Sequence, residues 1–206
     1  MSKRTTTARR PPDVQDELPT KEMRFAYADP PYIGQAKKHY ADDPNCGEVD
    51  HAALIADLET NYDGWALSCK SNAKELAWLI SLCKQDVRLG AWVKPFCAFK
   101  VNVNPAYAWE PVIFYTPKRR RREQPTIRDW VSSSITLKRG VSGAKPDQFC
   151  FWLFDVLQMD RDDELIDLFP GSGAVTRAWE QWRAQGQLEV TAGTATTQHF
   201  RSSQLA

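Results

Sequence analysis

Along the chain, the spacing of apolar residues switches repeatedly between short continuous runs and helical periods. Residues 23–28, 64–69 and 87–93 are compact apolar runs that read as buried strands, and 165–169 reads the same way. Residues 50–59 carry the amphipathic pattern of a helix, with Asp50 placed to cap it. A second helix is expected over 72–84, with Leu76, Leu79, Ile80 and Cys83 turned inward. An apolar helix over 149–157 follows Lys145 and Pro146, where a proline suits the first turn. A last helix over 174–182 presents Ala174, Ala178 and Trp182 on one face, and 186–190 offers a further short strand. Strands alternating with helices predict an α/β fold, a mostly parallel sheet with helices on both faces.

Length and composition narrow this picture. A chain of 206 residues builds one good core with an extension, not two full domains. Residues 1–22 are rich in Thr, Arg, Pro and Asp and poor in apolar residues, so a mobile tail is expected there, with 23–206 as a single domain. No apolar run reaches membrane-spanning length, and the basic N-terminus lacks the apolar stretch of a secretory signal. A cytoplasmic protein without a membrane partner is the expectation. Five cysteines show no Cys-x-x-Cys spacing; Cys69, Cys83 and Cys150 lie in apolar segments and read as small core residues. The three histidines, His39, His51 and His199, form no ligand cluster, so no metal site is expected.

Candidate chemistry sits at two turns. Asp29-Pro30-Pro31-Tyr32 follows the first strand, and open α/β sheets place their ligands at the carboxyl ends of strands. The two prolines stiffen the loop and remove two backbone donors. By itself such a segment is also an ordinary turn. The second turn, Pro170-Gly171-Ser172-Gly173, joins a strand to a helix, and its glycines present no Cβ to a ligand approaching the backbone. It is neither Gly-x-Gly-x-x-Gly nor a Gly-Lys-Ser/Thr phosphate loop, which disfavours a dinucleotide or nucleoside triphosphate. Asp167 falls within the apolar stretch before it, where a carboxylate is costly without a partner.

Charge is nearly balanced overall at +1 but unevenly distributed. The run Lys118-Arg119-Arg120-Arg121-Arg122 lies in a basic segment at about 116–142 that also holds Arg128, Lys138, Arg139 and Trp130. Charge runs are commonly solvated loops. Phosphate contact is the favoured reading, because clustered cations give sequence-independent affinity for nucleic acid. The acidic stretch 160–164 is one counterweight. Residues 33–47 follow the Asp29 loop, carry Lys37 and Lys38, and read as a lid or substrate loop.

Together, and in this order, the two turns resemble those of the permuted beta class of DNA amino-methyltransferases, in which the catalytic loop precedes the glycine loop. Lys145-Pro146 resembles that class's Lys-Pro segment lining the donor pocket, and 106–115 resembles a late strand of the same domain. The likeness extends over 23–182. It implies a Rossmann-like methyltransferase domain, S-adenosyl-L-methionine as donor, no metal, and nucleic acid as partner, DNA ahead of RNA. It implies catalytic roles for Asp29, Pro30, Pro31 and Tyr32. Asp29 and the Pro30 carbonyl would accept the hydrogens of an exocyclic amine, and Tyr32 would stack on a base removed from its duplex. Asp167, Phe169, Pro170, Gly171, Ser172, Gly173, Lys145 and Pro146 would hold the donor, with Asp167 meeting its ammonium. Asp at the first motif position accompanies adenine more often than cytosine, so N6 of adenine is expected ahead of N4 of cytosine. Messenger-RNA adenine methyltransferases, with Trp in place of Tyr32, are the nearest alternative.

Two departures from the class stand out. No clear carboxylate ends the stretch 186–190 to hold the donor's ribose, so the sheet is expected to be truncated on the donor-adenosine side. No sizeable target-recognition domain fits the chain either. A homodimer or a partner subunit that completes recognition is one consequence; a catalytically silent nucleic-acid-binding subunit of the same fold is the other.

Overall fold

A computed structural model of the protein describes residues 22–33, 48–96, 103–118, 126–135 and 144–185. In chain order the first half comprises β1 (Arg24–Ala28), α1 (His51–Asn61), β2 (Gly64–Ser68), α2 (Ala73–Leu82) and β3 (Arg88–Val93). Next come β4 (Trp109–Tyr115), β5 (Trp130–Ser132), α3 (Asp147–Val156), β6 (Glu164–Asp167) and α4 (174–185). The strands form one six-stranded sheet in the order β5-β3-β4-β2-β1-β6. Pairs β1–β2, β1–β6 and β3–β5 are parallel, whereas β4 runs antiparallel to both of its neighbours. The architecture is Rossmann-like α/β, mostly parallel as expected, with β4 as the reversed strand.

Alternation along each strand divides the core into two layers. Phe25 and Tyr27 of β1, with Val112 and Phe114 of β4, face α3 and α4 and meet Phe149, Trp152, Leu153, Phe154, Ala178 and Trp179. Ala26 and Ala28, with Trp65, Leu67 and Ile113, face the other way onto Ile55 and Leu58 of α1 and Leu79 of α2. Small residues on one side of β1 and large aromatics on the other thus assign the thicker layer to the α3 face.

Helix ends follow local chemistry. Asp50 accepts from the amides of Ala52 and Ala53, and Asn72 accepts from those of Lys74 and Glu75, so both helices have side-chain N-caps. Pro146 stands at the N-cap of α3 without a side-chain hydrogen bond. After α3 the chain turns through Gln158 in the left-handed region (φ 57). The amides of Gln158 and Met159 return to the carbonyls of Asp155 and Phe154, a Schellman termination with Gln in the usual glycine position. Met159 then packs into the α3 layer and the chain enters β6.

Three expectations need correcting. Ile80 is 38% exposed, because only Leu79, with Leu76 and Cys83 partly buried, lies on the inner face of α2. The stretch 165–169 is a strand only to Asp167; Leu168 and Phe169 already bend away. The basic segment 116–142 contains a strand, β5, which pairs with β3 at the sheet edge. Cys69 and Cys150 are buried, Cys83 is half-buried, and all three are free thiols, with burial pushing them up to about 12, 12 and 11 respectively. Among the described residues no helix is long and apolar enough to cross a membrane.

Candidate active site

The chain enters the sheet at β1 and proceeds to one side through β2; β6 is added on the other side of β1. The strand order therefore reverses between β1 and β6, and in open α/β sheets the crevice outside such a reversal is where ligands bind. Both candidate loops emerge there. Tyr27 lies opposite Asp167 in the parallel register, and the Leu168 amide still donates to the Tyr27 carbonyl at 2.9 Å. Asp29 follows β1 at once, and the glycine turn leaves β6 three residues after Asp167.

Beyond Ala28 the prolines cannot donate to a sheet ladder, so pairing stops and Asp29 turns out of the strand. Pro30 is buried, while Asp29, Pro31 and Tyr32 are half-buried. Lys145 Nζ stands 3.1 Å from Asp29 Oδ2 and also donates to Glu110 Oε1. Its side chain is 6% exposed and lies over the rings of Trp92 (5.2 Å) and Phe149 (5.5 Å), a desolvated cation–π setting. Glu110 projects from the apolar strand β4 with a side chain only 4% exposed. Its Oε2 accepts from Lys94 Nζ at 2.9 Å and from the Tyr32 hydroxyl at 3.1 Å.

Titration of these groups follows from their neighbours. Burial raises the Asp29 carboxyl above its ordinary range; the pull of Lys145 opposes this without cancelling it, and Glu110 adds to the rise. Burial also disfavours the Glu110 carboxylate, but the Lys145 and Lys94 ammonium groups outweigh it and hold Glu110 down at about 2. Burial works against the charge of Lys145, yet Asp29 and Glu110 more than offset it and keep the ammonium protonated. Burial, then Glu110, raises Tyr32 well above the usual phenol range, so its hydroxyl remains a donor.

On the neighbouring strand, Asp167 Oδ1 accepts from the Phe169 amide at 3.3 Å, and among the described residues no cation pairs with it. Burial raises its carboxyl and the Phe169 amide works the other way. Gly171 and Gly173 both have positive φ (46° and 69°), a region β-branched residues resist. A Cβ on Gly171 would meet nothing closer than the Phe169 carbonyl at 3.8 Å, so there the backbone conformation, not space, favours glycine. Arg177 Nη1 donates to the Ser172 carbonyl at 2.6 Å and fastens the turn to the first part of α4. Pro170, Gly171 and Ser172 are exposed at the mouth of the crevice.

The geometry thus brings Asp29, Pro30, Pro31, Tyr32 and Lys145 together, with Asp167 and the 170–173 turn on the next strand. The Lys145 ammonium lies between Asp29 and Glu110, and the Pro146 carbonyl accepts the Phe149 and Cys150 amides at the start of α3. The Tyr32 hydroxyl donates to Glu110 Oε2, which leaves the flat ring expected to stack on a base held at its edge. Lys118 pairs with Asp160 at 2.8 Å and with the buried Asp163, which also accepts from the Met23 amide before β1. That cluster lies at the amino ends of β1 and β6, opposite Asp29, and pairs Lys118 with two carboxylates of its own chain. Lys37, Lys38, Arg119, Arg120, Arg121 and Arg122 lie outside the described residues, as does 186–190.

Two functional candidates, Glu110 and Lys94, are not evident from motifs. The available signal was the one that singled out Asp167: a carboxylate inside an apolar strand needs a partner. Among the described residues no group of three or more His, Cys, Asp or Glu is arranged to hold a metal ion.

No protein-family model and no curated protein matches the chain. Among solved structures it is similar to the crystal structure of an M1.HpyAVI–SAM complex, at 13% identity over 79% of each chain with a TM-score of 0.47. It is also similar to the crystal structure of M1.HpyAVI, at 9% identity over 79% of this chain and 77% of that one, with a TM-score of 0.49.

Proposed function

We propose that the protein is an S-adenosylmethionine-dependent methyltransferase acting on the exocyclic amine of a nucleic-acid base, N6 of adenine in DNA by preference. The observation that carries this reading is the Asp29–Tyr32 loop and the 170–173 glycine turn emerging side by side from the parallel strands β1 and β6, at the point where strand order reverses.

The residues of the crevice fit the donor. Asp167 is a half-buried carboxylate with no paired cation among the described residues, a fit for the donor's ammonium. The positive-φ glycines give a turn whose backbone a ligand can approach closely. When bound, S-adenosylmethionine supplies a methyl group on a positively charged sulfur.

The chain's part in the reaction is to orient the amine and receive its hydrogens. An exocyclic amine is a poor nucleophile because its lone pair is delocalised into the ring. Asp29 Oδ accepts one N–H, and the Pro30 carbonyl, in a loop whose two prolines carry no backbone N–H, accepts the other; together they favour a more tetrahedral nitrogen. The raised Asp29 pKa suits a group that shares and then takes a proton as the nitrogen gains positive charge. The Tyr32 ring, tethered at its hydroxyl, is held in one orientation for an extruded base.

Incubation with methyl-labelled donor and DNA, RNA or protein, followed by nucleoside mass spectrometry, tests the proposal. Labelled N6-methyladenine from DNA is expected. Label on protein alone, or donor bound without transfer to any polymer, would contradict it.

A further inference from the structure

We propose that Glu110 is a positioning residue that sets how tightly Lys145 holds the Asp29 carboxylate. This rests on the reading of Asp29 as the acceptor of the substrate amine.

Lys145 is shared between two carboxylates and leans toward one of them. Its contact with Glu110 is the shorter, and its contact with Asp29 is 3.1 Å. Glu110 in turn divides its oxygens: Oε1 takes Lys145, while Oε2 takes Lys94 and the Tyr32 hydroxyl. Glu110 therefore grips both ends of the Asp29–Tyr32 loop, Tyr32 directly and Asp29 through Lys145. The prolines between them transmit that grip stiffly. The cluster contains two carboxylates and two ammoniums, so neither cation is free to neutralise Asp29 alone.

A carboxylate fully claimed by an ammonium is a weak acceptor for an incoming amine. One with no cation nearby, in this half-buried place, would be held more firmly in its protonated form, which cannot take the amine's proton. Sharing Lys145 sets Asp29 between these limits. The other titratable groups facing Asp29 are Lys94, Tyr27, Tyr32 and Asp167, none of which contacts its carboxylate among the described hydrogen bonds and ion pairs.

Variants of Glu110 and of its partner Lys94 give opposite predictions. In Glu110→Gln, Lys145 loses its competing carboxylate and closes on Asp29, and a negative charge near Asp29 disappears; both effects make Asp29 easier to ionise. In Lys94→Met, Lys145 is the one cation left to Glu110 and is drawn toward it, and a positive charge disappears; both effects make Asp29 harder to ionise. A purely structural role for Glu110 would not yield shifts of opposite sign.

The test is a carboxyl-carbon NMR titration of Asp29, assigned with Asp29→Asn, in the parent, Glu110→Gln and Lys94→Met, with near-UV circular dichroism verifying the fold. The Asp29 midpoint is expected to move down in Glu110→Gln and up in Lys94→Met. In parallel, Glu110→Gln should lower kcat on the order of tenfold with KM for S-adenosylmethionine unchanged, since only part of the acid–base contribution is removed. Unmoved midpoints, or shifts in the same direction, would overturn the proposal. If Glu110→Gln does not fold, the Lys94→Met titration decides alone. A parent that methylates nothing would sink the functional reading, while the titrations still decide the role of Glu110.

Discussion

Replacing Lys145 with methionine, which keeps the side chain's apolar length and removes its charge, should destabilise the fold by about 3 kcal/mol. The choice of scale rests on burial. Exposed ion pairs contribute about 0–1 kcal/mol, whereas removing one partner of a buried pair costs about 3–5 kcal/mol, because the other charge is left without compensation. Lys145 and Glu110 are 6% and 4% exposed, which assigns this pair to the second class; Asp29, at 26%, is partly relieved by water and draws the figure to the low end. In the variant, Asp29 and Glu110 face one remaining cation, Lys94. With a urea m-value of about 2 kcal/mol/M, the midpoint should fall by roughly 1.5 M at pH 7. The pH dependence has a definite sign. In the parent, Glu110 is held at about 2 against an ordinary 4.5, so its stabilisation is complete above 4.5 and is lost as pH falls through about 2. In the variant the larger opposing cation is gone, burial dominates, and the folded-state carboxyls are raised; the variant therefore recovers stability as pH falls from 7 toward 5. Urea unfolding of both proteins at the two pH values checks this. A deficit below about 1 kcal/mol at pH 7, or one that does not shrink at pH 5, would refute the argument that Lys145 is a buried bridge.

Asp29→Ala should reduce methyl transfer on the order of a hundredfold or more while donor binding, read by calorimetry, changes little; in the parent the acidic limb of the pH–rate profile should lie above the ordinary carboxylate range, because burial raises Asp29. Gly173→Val forces a β-branched residue to φ 69 and sets its Cβ about 3.1 Å from Arg177 Nη1, so a strain of roughly 1–2 kcal/mol and a loss of donor affinity on the order of tenfold are expected by urea unfolding and calorimetry. Neutralising Arg119, Arg120, Arg121 and Arg122 together should weaken binding to all nucleic-acid sequences alike and flatten the salt dependence by about one logarithmic unit for each phosphate no longer neutralised, with donor affinity unchanged.

Local chemistry made much of this fold legible in advance. The apolar runs at β1, β2 and β3 and the cap at Asp50 depend only on neighbouring residues, and they lie within a residue or two of where the sequence places them. The two loops are legible because prolines and glycines mark turns by covalent geometry. What was not legible depends on residues distant in the chain. The reversal of β4 leaves no trace in its apolar run, since burial on both faces gives the same pattern in either strand direction. Strand β5, three residues long within a basic segment, has no periodicity to detect. Lys118 reads as part of an arginine run, yet its partners Asp160 and Asp163 are brought to it only by the sheet order β4-β2-β1-β6. Glu110 finds Tyr32, Lys94 and Lys145 only once β4 is seated beside β2 and β3.

The central claim, that the crevice between β1 and β6 transfers a methyl group to a base amine, is tested most directly by the fate of a labelled methyl group. Parent protein and Asp29→Ala are incubated with isotopically labelled S-adenosylmethionine and mixed-sequence DNA, the DNA is digested to nucleosides, and the products are separated by mass spectrometry. Labelled N6-methyladenine with the parent, and its absence with Asp29→Ala, is the predicted result. Label that appears equally with both proteins, or appears on no nucleoside while the donor binds, would contradict the account.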